Sequence, residues 1–252
     1  MTKHRQWHFG LEWLLATLGG LALGYLLIEI LIYPFSFFEY YETDFVTRPL
    51  VSAIGSTWGD NAKNAFVDFS VSFSHLRFLV LSSAATGISI GLTQWLVLRR
   101  RNFQHKSWIF ASMGGWILGW VISQNASWPI ASVLIDSKGS NWEYHIILGY
   151  TLFGAFFGAL MGMCQWLVLR RHVHQASLWI LANILFWAVA AFIVETIVET
   201  TFWKIMGGPV GFFHDSRYLL EGIIADGCNG VLVGASTGVV LFRLLQRPLR
   251  RA

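Results

Sequence analysis

The chain has 252 residues, of which 55% are hydrophobic and only 13% charged. A soluble domain carries about 25% charged residues, so this composition excludes an ordinary soluble domain and indicates a membrane protein. The formal net charge of +4 does not indicate nucleic-acid binding, because the Lys and Arg residues concentrate in the tails and short connections on one side of the predicted bundle.

Hydropathy along the chain predicts an all-α, polytopic transmembrane helix bundle of about six spans, formed by one integral membrane domain over residues 1–252. Each predicted span is long enough to cross a hydrocarbon core of about 30 Å. The excess of Arg and Lys in both tails predicts that both termini are cytoplasmic. The predicted spans cover residues 11–34, 77–98, 108–126, 146–169, 178–198 and 218–242.

The predicted connections on the outer side differ in length. The first is an insertion over residues 36–76, and the others cover residues 127–145 and 199–217. Within the first, Leu50 to Trp58 has helical spacing and predicts an amphipathic helix at the membrane surface. Residues 67–73 alternate between apolar and polar side chains as a strand does, but no partner strand follows, so we favour a helical extension of the second span.

An internal duplication organises the chain. The heptapeptide Gln-Trp-Leu-Val-Leu-Arg-Arg begins at Gln94 and again at Gln165, 71 positions later. Two glycines, four residues apart, precede each copy. A divergent third copy is predicted from Gly234 and Gly238, with the Gln-Trp pair replaced. A unit that cannot bury its own apolar face is stabilised by stacking on its copies. The repeats cover about residues 80–126, 151–198 and 227–252.

Glycines at four-residue spacing predict close helix packing, because they let two backbones approach in lipid. Packing within one chain is favoured over a homodimer face. The predicted packing residues are Gly87, Gly91, Gly154, Gly158, Gly162, Gly230, Gly234 and Gly238.

Tryptophan is abundant, with 13 residues, and many lie near the predicted span ends. Interfacial aromatic belts have this pattern, since the indole has an apolar body and a polar edge. The belt is therefore favoured over a cofactor role, and no cofactor is predicted. The residues assigned to this belt are Trp7, Trp13, Trp95, Trp108, Trp128, Trp142, Trp166, Trp179 and Trp203.

Two kinds of polar residue within the predicted spans are candidates for function. Gln94 and Gln165 are polar helix contacts, for which hydrogen bonding between helices is favoured over lining a ligand cavity. Five carboxylates lie in the outer halves of spans and form a candidate ion or proton site, or a set of structural groups. These carboxylates are Glu29, Glu195, Glu199, Glu221 and Asp226.

Asp226 is the strongest candidate of the five, because it lies about 12 Å inside the sixth span and on the same helix face as Gly222, Gly230 and Gly234. It is therefore expected to point towards protein.

Catalytic and metal-binding motifs are absent from the sequence. We find no Walker loop, no HExxH and no dinucleotide fingerprint, so no catalytic residue is assigned and an enzyme is unsupported. His172 and His174 beside two arginines are a poor metal site, and no metal is predicted. An enzyme would require His145 or His214 to converge with the outer carboxylates around a metal or substrate.

The repeated Gln-Trp-Leu-Val-Leu-Arg-Arg blocks, each preceded by Gly-x3-Gly and followed by a Trp-led span, resemble a family of small multi-pass membrane proteins of cyanobacterial-type bacteria. The resemblance covers about residues 80–245. It implies a membrane bundle of repeats, located in a bacterial cytoplasmic membrane or in an internal membrane such as the thylakoid. It implies no activity.

The sequence thus favours a non-catalytic membrane protein that acts as an accessory, scaffold or assembly component of a membrane complex. Its expected partners are membrane lipids and other membrane protein subunits. The alternative is a small proton- or cation-coupled transporter or channel that uses the outer carboxylates.

Overall fold

The computed structural model describes residues 3–32, 50–101, 103, 105–135, 142–197 and 214–246. These residues are mainly helical and form no strand, as the sequence predicts. Residues 50–58 form a short helix that ends at Gly59. The long helices are α1 Lys3–Leu27 with its continuing π turn Ile28–Ile32, α2 Asp60–Arg99, α3 Ser107–Leu134, α4 Trp142–Leu169, α5 Leu178–Ile197 and α6 His214–Leu245.

Four segments of these helices are long and apolar enough to cross a membrane. They belong to α1, α2, α4 and α6, and α5 contributes a shorter apolar segment. The predicted all-α fold with helices that can span a membrane is therefore confirmed for the described part of the chain. The four segments are Trp7–Leu31, Asp60–Arg99, Tyr144–Leu169 and Ile224–Leu245.

Parts of two predicted connections are helical in the structure. Residues 67–73 lie within α2, so the helical extension is confirmed and the strand alternative is wrong. α3 continues through Pro129 to Leu134, so the first part of the predicted connection 127–145 is helical instead. Proline removes one helical hydrogen bond, the one to the carbonyl of Asn125, and α3 nevertheless continues past Pro129. The predicted outer regions that fall on 33–49, 136–141 and 198–213 lie outside the described residues.

The helices form a closed ring. Each long helix packs against the helices before and after it in the chain, and α6 packs against α1. One end of the ring carries Arg99, Arg100, Arg170 and Arg171. We call it the basic end, and the other the opposite end.

Glycines bring the helices together in three equivalent pairs: α2 with α3, α4 with α5, and α6 with α1. At the equivalent position of each pair, a Cβ added to the glycine would contact the partner helix near a tryptophan. The contact is with the residue directly after the tryptophan in the first two pairs, and with the fourth residue after it in the third pair. It would lie 2.9 Å from Ile109 Cα at Gly91, 3.0 Å from Ile180 Cα at Gly162 and 3.2 Å from Thr17 Cβ at Gly234.

These contacts correct the register of the third repeat. Gly230 and Gly234, rather than Gly234 and Gly238, occupy the positions of the paired glycines in the first two units. The partner helix of this unit is α1, at the start of the chain. The prediction was displaced by one helical turn because the third copy lacks the Gln-Trp pair that fixes the register of the others.

All eight glycines predicted to pack lie against a neighbouring helix of the same chain. Gly154 and Gly158 face the backbone of α5 at Trp187 and Asn183. Gly238 faces the ring of Trp13, and an added Cβ would lie 3.0 Å from its Cδ1.

Candidate functional site on the ring axis

Three tryptophans fill the axis of the ring near its basic end. Trp13, Trp108 and Trp179 come from α1, α3 and α5, and each is almost completely buried. Their ring centroids form a triangle with sides of 6.0, 6.3 and 6.0 Å. The prediction that these three belong to an interfacial belt is therefore wrong. They lie on the inward face of their helices, where their rings contact one another and not the surroundings of the bundle.

Gln94 joins three helices beside this triangle. Its side chain is buried, and its Oε1 accepts a hydrogen bond of 3.2 Å from Trp108 Nε1 on α3. Its Nε2 donates to Thr17 Oγ1 on α1 at 3.1 Å. The amide thus links α2 to both of its neighbours.

The second repeat has the same arrangement. Gln165 Oε1 accepts from Trp179 Nε1 at 2.9 Å, and its Nε2 donates to Ser112 Oγ at 3.0 Å. In the third unit Thr237 takes the place of the glutamine and accepts from Trp13 Nε1 at 3.2 Å. Each indole of the triangle therefore donates to a polar residue of the partner helix.

The side-chain hydrogen bond that joins neighbouring units elsewhere in the ring is missing between α5 and α6. Asn183 corresponds to Thr17 and Ser112, but its Nδ2 donates to the carbonyl of Trp179 in its own helix at 2.8 Å. The short Thr237 side chain donates to the carbonyl of Val233 at 2.6 Å. No hydrogen bond among the described side chains joins α5 to α6.

A second aromatic layer lies further from the basic end. Trp116, Phe157 and Trp187 pack edge to face, with centroid distances of 5.0 Å between Trp116 and Phe157 and 4.6 Å between Phe157 and Trp187. Phe153 stacks on Phe157 from the same helix. Leu21, Ile90 and Met161 belong to the same core cluster.

A cavity of about 30 Å³ lies on the axis, lined by the tryptophan triangle, the polar residues beside it and the second aromatic layer. This volume is sufficient for one or two water molecules. Trp116 Nε1 is a buried donor on its lining without a partner among the described residues. The polar lining consists of Thr17, Gln94, Gln165, Asn183 and Thr237. Both glutamines are thus helix contacts and cavity-lining residues.

Asp226 lies nearer the opposite end, between α6 and α1. Its Oδ2 accepts a hydrogen bond from the hydroxyl of Tyr25, and the pair is partly buried. Asp226 therefore points towards protein, as expected from the glycine line. The sequence did not single out Tyr25.

The other predicted carboxylates do not join Asp226 in the described part of the structure. Glu29 is exposed in the π turn that follows α1. Glu199 lies outside the described residues, as do the side chains of Glu195 and Glu221, whose backbones belong to α5 and α6. The convergence of outer carboxylates required by an ion site therefore stays a prediction.

The histidines near the basic end pack against each other. The rings of His105 and His172 are 4.0 Å apart, and His172 Nδ1 lies 3.0 Å from the carbonyl oxygen of Val168. Among the described residues, no group of three or more His, Cys, Asp or Glu side chains is arranged to hold a metal ion.

Comparison with known proteins gives no relative: no family model, curated protein or solved structure matches the chain.

Proposed function

We propose that the chain is a non-catalytic integral membrane protein that packs with, or helps to assemble, a larger membrane complex. The observation that carries this proposal is an exposed apolar face on α2. This helix has 40 residues and a length of about 60 Å, twice the thickness of a hydrocarbon core. About 20 residues counted back from its basic end fill that core, so the first half of α2 extends beyond it.

The extension carries large apolar side chains on one face. Phe69 and Phe73 are 67% and 57% exposed, and their rings stack with centroids 6.1 Å apart. Leu76 follows at the same helical face and is 47% exposed. An exposed apolar patch outside the membrane is typical of a protein interface.

The proposal includes six spans with both termini in the cytoplasm. α3 has 28 residues without a charge, and α5 has 20 residues that include Glu195, so each is long enough to cross the hydrocarbon core. Each lies between two neighbours of the ring that can span a membrane. The arginines at the basic end support a cytoplasmic location for that end, and a bacterial cytoplasmic or internal membrane is the proposed location.

The filled axis supports a structural role over transport. Two aromatic layers close the ring around a cavity that has room for only one or two water molecules. The second candidate function, a proton- or cation-coupled transporter, rests on the Tyr25–Asp226 pair, because an ionisable residue within a span is costly and is commonly functional.

The test of the assembly role is the Phe69→Ser/Phe73→Ser variant, expressed in the native membrane. We expect wild-type protein to migrate in a complex larger than its own 28.5 kDa, and the variant to leave that complex. Loss of a buried aromatic anchor weakens association by about 1–2 kcal/mol per ring, or about tenfold. Native electrophoresis of gently solubilised membranes measures the change.

The matched control is Asn64→Ala/Ser74→Ala, which changes two exposed residues on the other side of the same extension. The control is expected to migrate as wild type does. A wild-type protein that migrates alone, or a Phe variant that stays in the complex, would contradict the assembly role.

A further inference from the structure

The duplicated heptapeptide forms two equivalent cation–π pairs at the basic end. The guanidinium of Arg99 lies over the ring of Trp95, with Cζ 5.5 Å from the ring centroid. The guanidinium of Arg170 lies over the ring of Trp166 at 5.0 Å. Each arginine follows its tryptophan by one helical turn, so the two side chains share a helix face.

Both pairs lie where the apolar surface of the bundle ends. Trp95 and Trp166 are half-buried and pack against the core near the basic end. The next residues, Leu96 and Leu167, are 45% and 49% exposed and belong to the apolar outer surface. Arg99 and Arg170 are exposed at the helix ends. Each pair therefore joins a half-buried apolar ring, next to the exposed apolar surface, to an exposed charged group at the helix end.

These two guanidinium groups have no carboxylate partner within the described residues. The neighbouring Arg101 differs, because its Nη2 lies 3.9 Å from Glu12 Oε2. Arg100 and Arg171 add positive charge directly beside the two pairs. The basic end thus presents two exposed guanidinium groups, each over an indole, whose charge no described carboxylate balances.

The third unit of the ring lacks such a pair. In the register set by the glycines, Gly238 takes the position of Trp95 and Trp166, and Phe242 takes the position of the arginines. Phe242 is buried against Phe9. The pattern therefore gives two sites around the ring, not three.

We propose that each Arg–Trp pair binds the phosphate group of an anionic phospholipid, so that the protein holds two such lipids at its basic end. Stacking on the indole fixes the plane of the guanidinium, which presents its N–H groups to phosphate oxygens in a bidentate arrangement. The acyl chains of the lipid lie along the tryptophan and the exposed leucine. The proposed lipid site is the same whichever leaflet the basic end faces. The lipid proposal also does not rest on the proposed assembly role.

The test is native mass spectrometry of the purified full chain with equimolar phosphatidylglycerol and phosphatidylcholine. Wild type is expected to retain two phosphatidylglycerol molecules in preference to phosphatidylcholine. Arg99→Gln and Arg170→Gln are each expected to retain one, and the double variant none. Because a hydrogen bond to a charged group contributes about 1.5–3 kcal/mol, loss of the guanidinium that holds the phosphate weakens binding at its own site at least about tenfold.

Arg100→Gln/Arg171→Gln removes the same charge from exposed residues that are not stacked on tryptophan, and it should retain both lipids. If this control loses lipid as the test variant does, only general charge attraction operates and the proposal is wrong. Retention of two lipids by the Arg99→Gln/Arg170→Gln variant would also overturn it. Displacement of the lipid by millimolar inorganic phosphate would assign the site to free phosphate instead. The single variants give the same decision if the double variant fails to fold.

Discussion

Gln94 and Gln165 show what a residue pattern can and cannot predict. The sequence marks them as paired amides near one membrane surface, and polar contact between helices is the expected role of such groups. It does not reveal that their partners are the indoles of Trp108 and Trp179, because a tryptophan near a span end has the same pattern whether it faces lipid or the axis. The two cases differ in the direction in which the tryptophan side chain points around its helix, not in its distance from the span end.

Asp226 and Tyr25 illustrate a second limit. The carboxylate stands out in an apolar span, whereas a tyrosine is common there and attracts no attention. Only the pairing of α6 with α1 brings the two together, and those helices are at opposite ends of the sequence.

The two candidate functions make different predictions for Asp226→Asn. The asparagine keeps an oxygen that accepts the Tyr25 hydroxyl, so we expect the free energy of unfolding to change by less than about 1 kcal/mol. In the structural role, proteoliposomes show no flux of protons or cations with wild type or variant under an imposed gradient. Wild-type flux that the substitution abolishes would establish the transporter instead. Melting curves on the same preparations show whether the variant is folded.

At the scale of the helices, hydropathy predicts the long apolar helices well, and four of their segments are long and apolar enough to cross a membrane, because burial in lipid needs only length and composition. Their ends are predicted less well. α2 begins 17 residues before the predicted span of 77–98 and α3 ends beyond the predicted 126. Hydropathy marks only the apolar part of a helix and does not show where its backbone hydrogen bonding ends, and α3 continues even through Pro129.

The close contact between α4 and α5 depends on glycine. A side chain at Gly158 would collide with the backbone of Asn183, so Gly158→Leu must push the two helices apart. We expect this variant to lose about 1–3 kcal/mol of stability or to fail to fold. The yield of monodisperse protein and its thermal midpoint in detergent measure the loss.

Gly114 provides the matched control for that experiment. It is also a helical glycine, on α3, but an added Cβ there meets no atom within 4 Å. Gly114→Leu should therefore give a yield and a thermal midpoint close to wild type. Equal behaviour of the two leucine variants would show that α4 does not depend on its glycines for packing.

At the scale of the whole molecule, the closed ring was not predictable from local patterns. The first two hairpins follow from the identical heptapeptides, since each contains both of its helices in sequence. The third hairpin consists of α6 and α1, and no local pattern joins the two ends of the chain. A duplicated sequence predicts copies in order, so a unit divided between the two termini escapes detection.

The orientation of the ring is tested by single cysteines at Ser107, the first residue of α3, and at Ser140, between α3 and α4 in the sequence. In a background with Cys164 and Cys228 replaced by alanine, Ser107→Cys should react with an impermeant maleimide only from the cytoplasmic side. Ser140→Cys should react only from the other side. Labelling of both positions from one side would contradict six spans, and reversed labelling would place the termini outside.

The divided third unit has a consequence for synthesis of the chain. In the six-span arrangement proposed above, α1 enters the membrane first and can dock on α2 through Thr17 and Gln94 as soon as that helix follows. Its other face, with the Trp13 indole, has no Thr237 to bond until the last helix has been made. A nascent chain released before residue 214 would therefore leave Trp13 and the glutamine-linked core open to lipid along one side, and only insertion of α6 closes it.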